Sequence, residues 1–480
     1  MISQQTHTCQ NITNDFISTS LGVLDPCIPY IFKFNDFQCK RKYGKAFKYF
    51  EDGYGDMDKY QRMLHNVSTA MEKGESLAKQ PLQQTDIHWS TTTPQAQARQ
   101  QPPQQEENKI NHSIVMKEGS FTSPATDFLP SEASQCRFIM LQPSSSDSGA
   151  QQKPSTSNKN NTFVIILPGS GESTESERFE LAKKFVQQRG WSSIIMIAPY
   201  YGSRKPAGQE SFHLRTVADH FIQSLAICQE TAVLCQYLMN QNTNNDNVCI
   251  TGFSYGGGCA LGATSASLCL VGDKNAERLS AAYYCPTVSY EAMVSGDMSY
   301  KIDYEAFRSP SDKDMLETKQ KLHRVMKNMT MELMMEPLGK HKKAPRIASA
   351  IHGAFQGDTI VEPYLSHKFY DVFERDLPCR TEKTMKWFPG GHASAAILRT
   401  VYQYDLVLEV VEKMEKLLQE RSCDGLRSDI ISKRKTKTRS LCSGIVHMER
   451  QSEKEKMSNL VGCGKSKKAR RTHKRVRRTN

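Results

Sequence analysis

The sequence predicts a three-layer α/β fold built on a mostly parallel sheet, and three observations carry that prediction. Between about Met116 and Gln419, short continuous apolar runs alternate with segments whose apolar residues recur at three and four positions. The apolar runs are rich in branched residues and lack the alternation of a half-solvated strand, so they belong to strands covered by helices on both faces. The intervening helical segments run to roughly a dozen residues or more, long enough for the right-handed crossovers that parallel neighbours require.

The elements follow in order. Thr162–Leu167 (TFVIIL) is the first buried strand and Glu175–Arg189 its helix; Ser193–Pro199 is the second strand. A long helix comes next, with Leu214, Val217, Ala218, Phe221, Leu225, Cys228, Ala232, Cys235 and Leu238 on one stripe. Asn247–Gly252 is the third strand, followed by a helix of small residues over Gly256–Leu270. Leu279–Cys285, Arg346–Ala354 and Lys383–Phe388 complete the set of strands. A closing helix keeps Ile397, Val401, Tyr404, Leu408, Val411, Met414 and Leu418 on one face. Reactive groups belong at the carboxyl ends of strands so arranged.

Composition bounds what lies outside this core. From Gln80 to Glu107 thirteen of 28 residues are Gln or Pro, and Ser144–Asn161 is nearly all polar. Neither stretch holds apolar surface enough to offset its ordering entropy, so both read as disordered linkers or loops. Residues 1–114 are expected to be a poorly structured Gln/Pro-rich region, although aromatics between Phe16 and Lys73 suit helices that pack on the core. Residues 115–420 form the folded domain, and residues 421–480 a basic disordered tail. The formal charge is +12, yet Lys465–Arg478 holds nine basic residues and Lys433–Arg439 five more; removing these fourteen leaves 12 − 14 = −2. The body is therefore near neutral, and the basic balance describes the tail rather than a sequence-specific nucleic-acid-binding domain.

Fourteen cysteines among 480 residues fall into no CxxC or Cys/His spacing of a zinc site. Neither a metal nor a cofactor is expected, and several thiols sit in apolar runs as small hydrophobes, which suits a reducing compartment. The first thirty residues carry no Lys or Arg, and no apolar run approaches the length of a spanning helix. An intracellular protein without signal peptide or transmembrane helix is the expectation.

Gly252-Phe253-Ser254-Tyr255-Gly256-Gly257 stands where a buried strand turns directly into a helix, the context a nucleophilic serine needs to hold its hydroxyl exposed on a sharp turn. The alternative is a set of ordinary glycines at a strand-to-helix turn in a non-catalytic fold. A serine nucleophile needs a base and an acid, in the chain order Ser, Asp/Glu, His on such sheets. His392 follows the last strand in Phe388-Pro-Gly-Gly-His, and Asp358 follows the fifth, 34 positions earlier. A solvated loop histidine and an ordinary turn aspartate are the bland readings. Leu167-Pro-Gly-Ser-Gly-Glu172 leaves the first core strand rich in glycine, so the N–H of Ser170 or a neighbour pairs with that of Tyr255 as an oxyanion hole. A phosphate loop is disfavoured because no G-x-x-x-x-G-K-[ST] pattern is present.

LPGSGE, APYYGSRKP (Ala198–Pro206), TGFSYGG, GDTIVEP and PGGHASA, in this order, resemble the α/β-hydrolase domain-containing protein 18 family, as do EGSFTSP and CRFIMLQP upstream. The resemblance covers about Met116–Glu420 and implies the α/β-hydrolase fold, with Ser254 as nucleophile, Asp358 as acid and His392 as base. It further implies a serine esterase acting on acyl esters of lipids, including mitochondrial phospholipid. The segment from Ser289 to Ala344 falls where hydrolases carry a lid. Its Met-rich stretch, Met326–Met335, would adapt to varied acyl chains, or is simply a helix packed on the sheet.

The expected function is hydrolysis of a carboxylic ester, with a lipid acyl ester as the substrate class. The competing reading is a catalytically silent binding protein of the same fold, directed by its tail. That tail lacks aromatics for stacking and reads as a nuclear address or as a peripheral contact with an anionic membrane or polyanion.

Overall fold

The computed structural model describes residues 40–41, 45–75, 77–78, 82–90, 113–144, 161–172, 176–241, 246–287, 289–329, 332–340 and 345–421. The basic runs Lys433–Arg439 and Lys465–Arg478 and most of the polar stretch Ser144–Asn161 lie outside these residues. The described residues up to Leu417 belong to one compact unit, and residues 418–421 to a second.

One nine-stranded sheet organises the first unit. Its strands are β1 (His88–Ser90), β2 (Ile114–Thr122), β3 (Gln135–Pro143), β4 (Thr162–Leu167), β5 (Ser192–Ile197), β6 (Asn247–Phe253), β7 (Leu279–Tyr284), β8 (Ser349–Phe355) and β9 (Thr384–Phe388). They lie in the order β1-β2-β3-β5-β4-β6-β7-β8-β9. β1, β2 and β3 join antiparallel, β3 meets β5 antiparallel, and every pairing from β5 to β9 is parallel. Each residue of β4, β6, β7 and β8 is buried, which is the physical meaning of their unbroken apolar runs.

The helices are α1 (Met57–Lys73), α2 (Ser176–Arg189), α3 (Val217–Gln241), α4 (Tyr255–Ala276), α5 (Glu291–Val294), α6 (Met315–Asn328), α7 (Glu332–Lys340), α8 (Pro363–Asp376), α9 (His392–Ile397) and α10 (residues 399–421). α4 is buried over nearly its whole length, because Gly256, Gly257, Gly258, Ala260, Gly262 and Ala263 let α3 and the sheet approach it closely. Among the described residues no helix is long and apolar enough to cross a membrane.

The structure corrects one expectation and decides between the alternatives in two others. The N-terminal region does not stay outside the fold over residues 45–75: α1 has an Asp56 cap, a left-handed Gly74 stop and a buried stripe of Tyr60, Met63, Val67 and Met71. Just before it, Tyr49 N–H donates to the Lys301 carbonyl (2.8 Å) and Phe50 N–H to the Leu214 carbonyl (2.8 Å), seating two buried aromatics. Within the Gln/Pro-rich stretch, His88–Ser90 pairs with β2. Trp89 lies edge-on to Phe138 (5.5 Å), and a β-carbon on Gly119 would collide with that same Phe138 ring. Finally, of the two readings of the Met-rich stretch, the packed helix holds: Met326, Met334 and Met335 are buried on α6 and α7, and none lines the cavity described below.

Candidate active site

The register of the parallel strands sets Leu167, Gly252 and Tyr283 side by side, and Tyr283 opposite His352. The segments after β4, β6, β7, β8 and β9 therefore leave one edge of the sheet together. They carry, respectively, Pro168–Glu172, Ser254, Cys285, Asp358 and His392.

Ser254 caps α4 with φ 55° and ψ −119°, a backbone conformation that residues with a β-carbon rarely adopt. The turn is held by Ser254 N–H to the Tyr284 carbonyl (2.9 Å) and by Gly257 and Gly258 N–H to the Ser254 carbonyl (2.9 and 3.2 Å). Its tightness explains the flanking glycines. A β-carbon on Gly252 would strike the Gly256 carbonyl, and one on Gly256 would stand 2.5 Å from the Pro168 carbonyl oxygen.

His392 begins α9, and its Nδ1 lies 2.8 Å from Asp358 Oδ2. Asp358 is buried; its Oδ1 accepts from Ile360 N–H (2.8 Å) and Val361 N–H (2.7 Å), which fixes the carboxylate and leaves Oδ2 for the ring. The Phe253 ring packs on the imidazole at 5.0 Å. Ser254 and His392 line one cavity of about 260 Å³, together with Gly169, Ser170, Gly171 and Tyr255.

The loop after β4 is clamped from behind. Gly169 N–H donates to Glu172 Oε2 (3.0 Å) and Gly171 N–H to the Tyr201 hydroxyl (3.1 Å), while Ser170 lies between them on the cavity wall. The Tyr255 N–H opens α4, where the first N–H groups have no partner within the helix. Glu172 is itself held by Arg178 (2.8 Å) and Arg399. Burial resists its ionisation, but the two guanidiniums and the Gly169 N–H outweigh that and hold its carboxyl below the usual range.

APYYGSRKP is the frame behind this loop. Besides the Tyr201 hydroxyl, it supplies Arg204, which is fully buried and bonds Glu230 (2.6 and 2.8 Å) and the carbonyls of Ile197 and Ala133 (both 2.7 Å). Tyr200, at φ 66°, donates its hydroxyl to Asp219 Oδ1 (3.1 Å).

The cavity roof comes from Tyr49, Phe212, His213 and Ser289–Lys301, the first part of the lid-like segment. His213 and His220 also line the cavity, and His220 is stacked on Tyr255 at 5.1 Å. The sequence singles out neither Tyr49 nor Cys285 as a site residue. Cys285 directly follows β7 at φ 50° and donates from Sγ to Asp358 Oδ2 (2.8 Å). No local spacing marks either residue, because each is brought in by pairing with distant chain.

A buried, largely parallel sheet with a strained serine at a strand-to-helix turn defines the α/β-hydrolase class of fold. Comparison with known families gives the narrower assignment: residues 47–350 match the alpha/beta hydrolase domain containing 18 family, and the chain belongs to it. The match starts well before Met116, in keeping with the packing of residues 45–75, and it ends before Asp358 and His392. Solved structures resemble the chain more distantly. Acetyl xylan esterase 1 from Thermoanaerobacterium sp. JW/SL YS485 is 12% identical, with a TM-score of 0.43, over 77% of this chain and 96% of the other. A cold-adapted esterase from an Arctic intertidal metagenomic library is 12% identical, with a TM-score of 0.37, over 63% and 96%. The Pyrococcus horikoshii acylaminoacyl peptidase is 13% identical, with a TM-score of 0.34, over 56% and 39%.

Proposed function

We propose that this protein is a serine hydrolase that cleaves carboxylic esters, with a lipid acyl ester as substrate, through an acyl-enzyme on Ser254. The observation that carries the reading is the shared cavity wall of Ser254, at its strained turn, and His392, whose other ring nitrogen is bonded to a buried carboxylate. With Asp358 keeping the proton on Nδ1, Nε2 carries the lone pair that takes the Ser254 proton as Oγ attacks the ester carbonyl. The oxyanion that forms meets the N–H groups of Ser170 and Tyr255, each such donor being worth roughly 3 to 4 kcal/mol. The alcohol leaves with the proton from His392. Water, activated by the same ring, then releases the acid and restores Ser254. An acyl chain suits the cavity's apolar wall of Tyr290, Ala292, Met293, Met298, Ile360 and Val361. The Lys465–Arg478 run would add a peripheral contact with an anionic surface, outside the described residues.

The test is labelling of the folded protein with a fluorophosphonate, with the modified peptide mapped by mass spectrometry. Label on Ser254, absent from Ser254→Ala, is expected, together with ester turnover that the variant lacks. A folded protein that takes no label would point instead to a silent binding protein of the same fold.

A further inference from the structure

We propose that Cys285, Asp358 and His392 form a binding site for a thiophilic transition metal of the zinc type, and that its occupation switches off His392 as a base. Cys285 Sγ and His392 Nδ1 each lie 2.8 Å from Asp358 Oδ2 and 3.5 Å from each other. All three donor atoms fall within 4.8 Å of one another, and among the described residues this is where three such donors converge. Thiolate, imidazole and carboxylate are the ligand set of zinc. Around a tetrahedral ion with bonds of about 2.0 to 2.3 Å, neighbouring donors stand roughly 3.3 to 3.6 Å apart. The sulfur and nitrogen already have that spacing, so only the carboxylate oxygen must withdraw, by well under 1 Å on these bond lengths.

A second observation is the backbone of Cys285. It holds φ 50°, a region that costs a residue with a β-carbon of the order of 1–3 kcal/mol. Its N–H is fixed on the Gly353 carbonyl at 2.7 Å, so the thiol is turned onto the carboxylate at that cost. His392 faces the cavity and is the outermost of the three ligands, which gives an ion its route.

The proton balance makes binding and catalysis exclusive. In the metal-free site the Sγ–H and the Nδ1–H both point at Oδ2. A divalent ion replaces both: the thiol proton leaves to solvent, and the Nδ1 proton moves to Nε2, so one proton is released for each ion bound. The ring then presents an N–H toward Ser254 where a lone pair is needed. The inhibitory half of this proposal rests on the serine-hydrolase reading; the binding half does not.

Cadmium reports the site directly through its thiolate charge-transfer absorption in the ultraviolet, whether or not the protein turns over an ester. The full chain, Ser254→Ala and Cys285→Ser are titrated with cadmium. The serine hydroxyl keeps a hydrogen-bond donor beside Asp358 but is no thiolate ligand, and Cys285→Ala serves as a second thiol-free form should the serine variant be unstable. One equivalent of the band is expected in the wild type and in Ser254→Ala and is missing from the Cys285 variants. Zinc should inhibit the wild type at concentrations at least tenfold lower than it inhibits Cys285→Ser. Each rate is taken relative to that form's own metal-free rate, and a chelator should reverse the effect. Equal cadmium bands in the wild type and the Cys285 variants would overturn the site. Equal zinc sensitivity would overturn the switch. If no form turns over ester, the band still decides the site, and the failure belongs to the hydrolase reading.

Discussion

At Ser254 the backbone angles of 55° and −119° are the mirror image of an extended conformation, which glycine adopts as readily as the ordinary one. Replacing the serine by alanine keeps the strain, whereas replacing it by glycine removes it. Ser254→Gly should therefore exceed Ser254→Ala in unfolding free energy by about 1 kcal/mol, read from denaturant midpoints, with neither variant active. Equal midpoints would mean that the turn is unstrained. The carboxylate of Asp358 allows a sharper substitution. Its Oδ1 is gripped by two N–H donors, so in Asp358→Asn the amide oxygen must take that side and the NH2 must face His392. The NH2 then donates to Nδ1, the ring proton is driven to Nε2, and the base is lost with the fold intact. By the logic of such triads kcat should fall on the order of 10⁴ with little change in melting temperature. A variant that keeps most of its turnover would place the acid elsewhere.

Among the elements, the coupling of β5 to α3 rests on Arg204 and Glu230, both buried, with Ser123 donating to the same carboxylate at 2.5 Å. Burial disfavours the guanidinium charge, but Glu230 outweighs it and raises the arginine further above its ordinary value. Removing one partner leaves the other charged and buried. Arg204→Met should therefore cost about 3–5 kcal/mol in a denaturant titration, and adding Glu230→Leu should recover much of that loss. Additive losses would show that the pair does not act as a unit. The sequence discloses some of these elements and not others. β4 is legible residue for residue, since a strand buried on both faces must be apolar throughout. The place of Ser254 is legible because the tight turn excludes β-carbons at Gly252 and Gly256. β1 is not, because three residues among glutamines and prolines carry no periodicity; only the Trp89–Phe138 contact and the edge of β2 order them. Nor is Cys285 legible, since its meeting with Asp358 depends on the pairing of β7 with β8, a property of the sheet and not of either segment.

For the whole molecule the buried histidines set the response to acid. Both ring nitrogens of His220 and of His352 lack partners among the described residues, and burial pushes each ring's pKa down from 6.5 to about 3. His367 adds to the effect at His352, and His213 is lowered to about 3 by burial and then by the charge of Lys301. A folded-state pKa below the unfolded one means that the unfolded chain binds more protons throughout the interval between them. The stabilisation is thus fully present above about pH 6.5 and is lost as pH falls toward 3. Each such histidine contributes a slope of up to about 1.4 kcal/mol per pH unit in that window. Glu172 works in the same direction lower down: its depressed carboxyl stabilises above the unfolded value of 4.5 and is lost as pH falls below it. The urea midpoint should accordingly fall steeply between pH 6.5 and 5, before the carboxylates titrate. His352 lies against Phe369 at 4.9 Å and does not line the cavity, so His352→Phe should fit, keep ester turnover and remove one histidine's share of the slope. If the midpoint is flat across that window, or if His352→Phe leaves the slope unchanged, the ring is not held neutral and the packing around β8 must admit a charge.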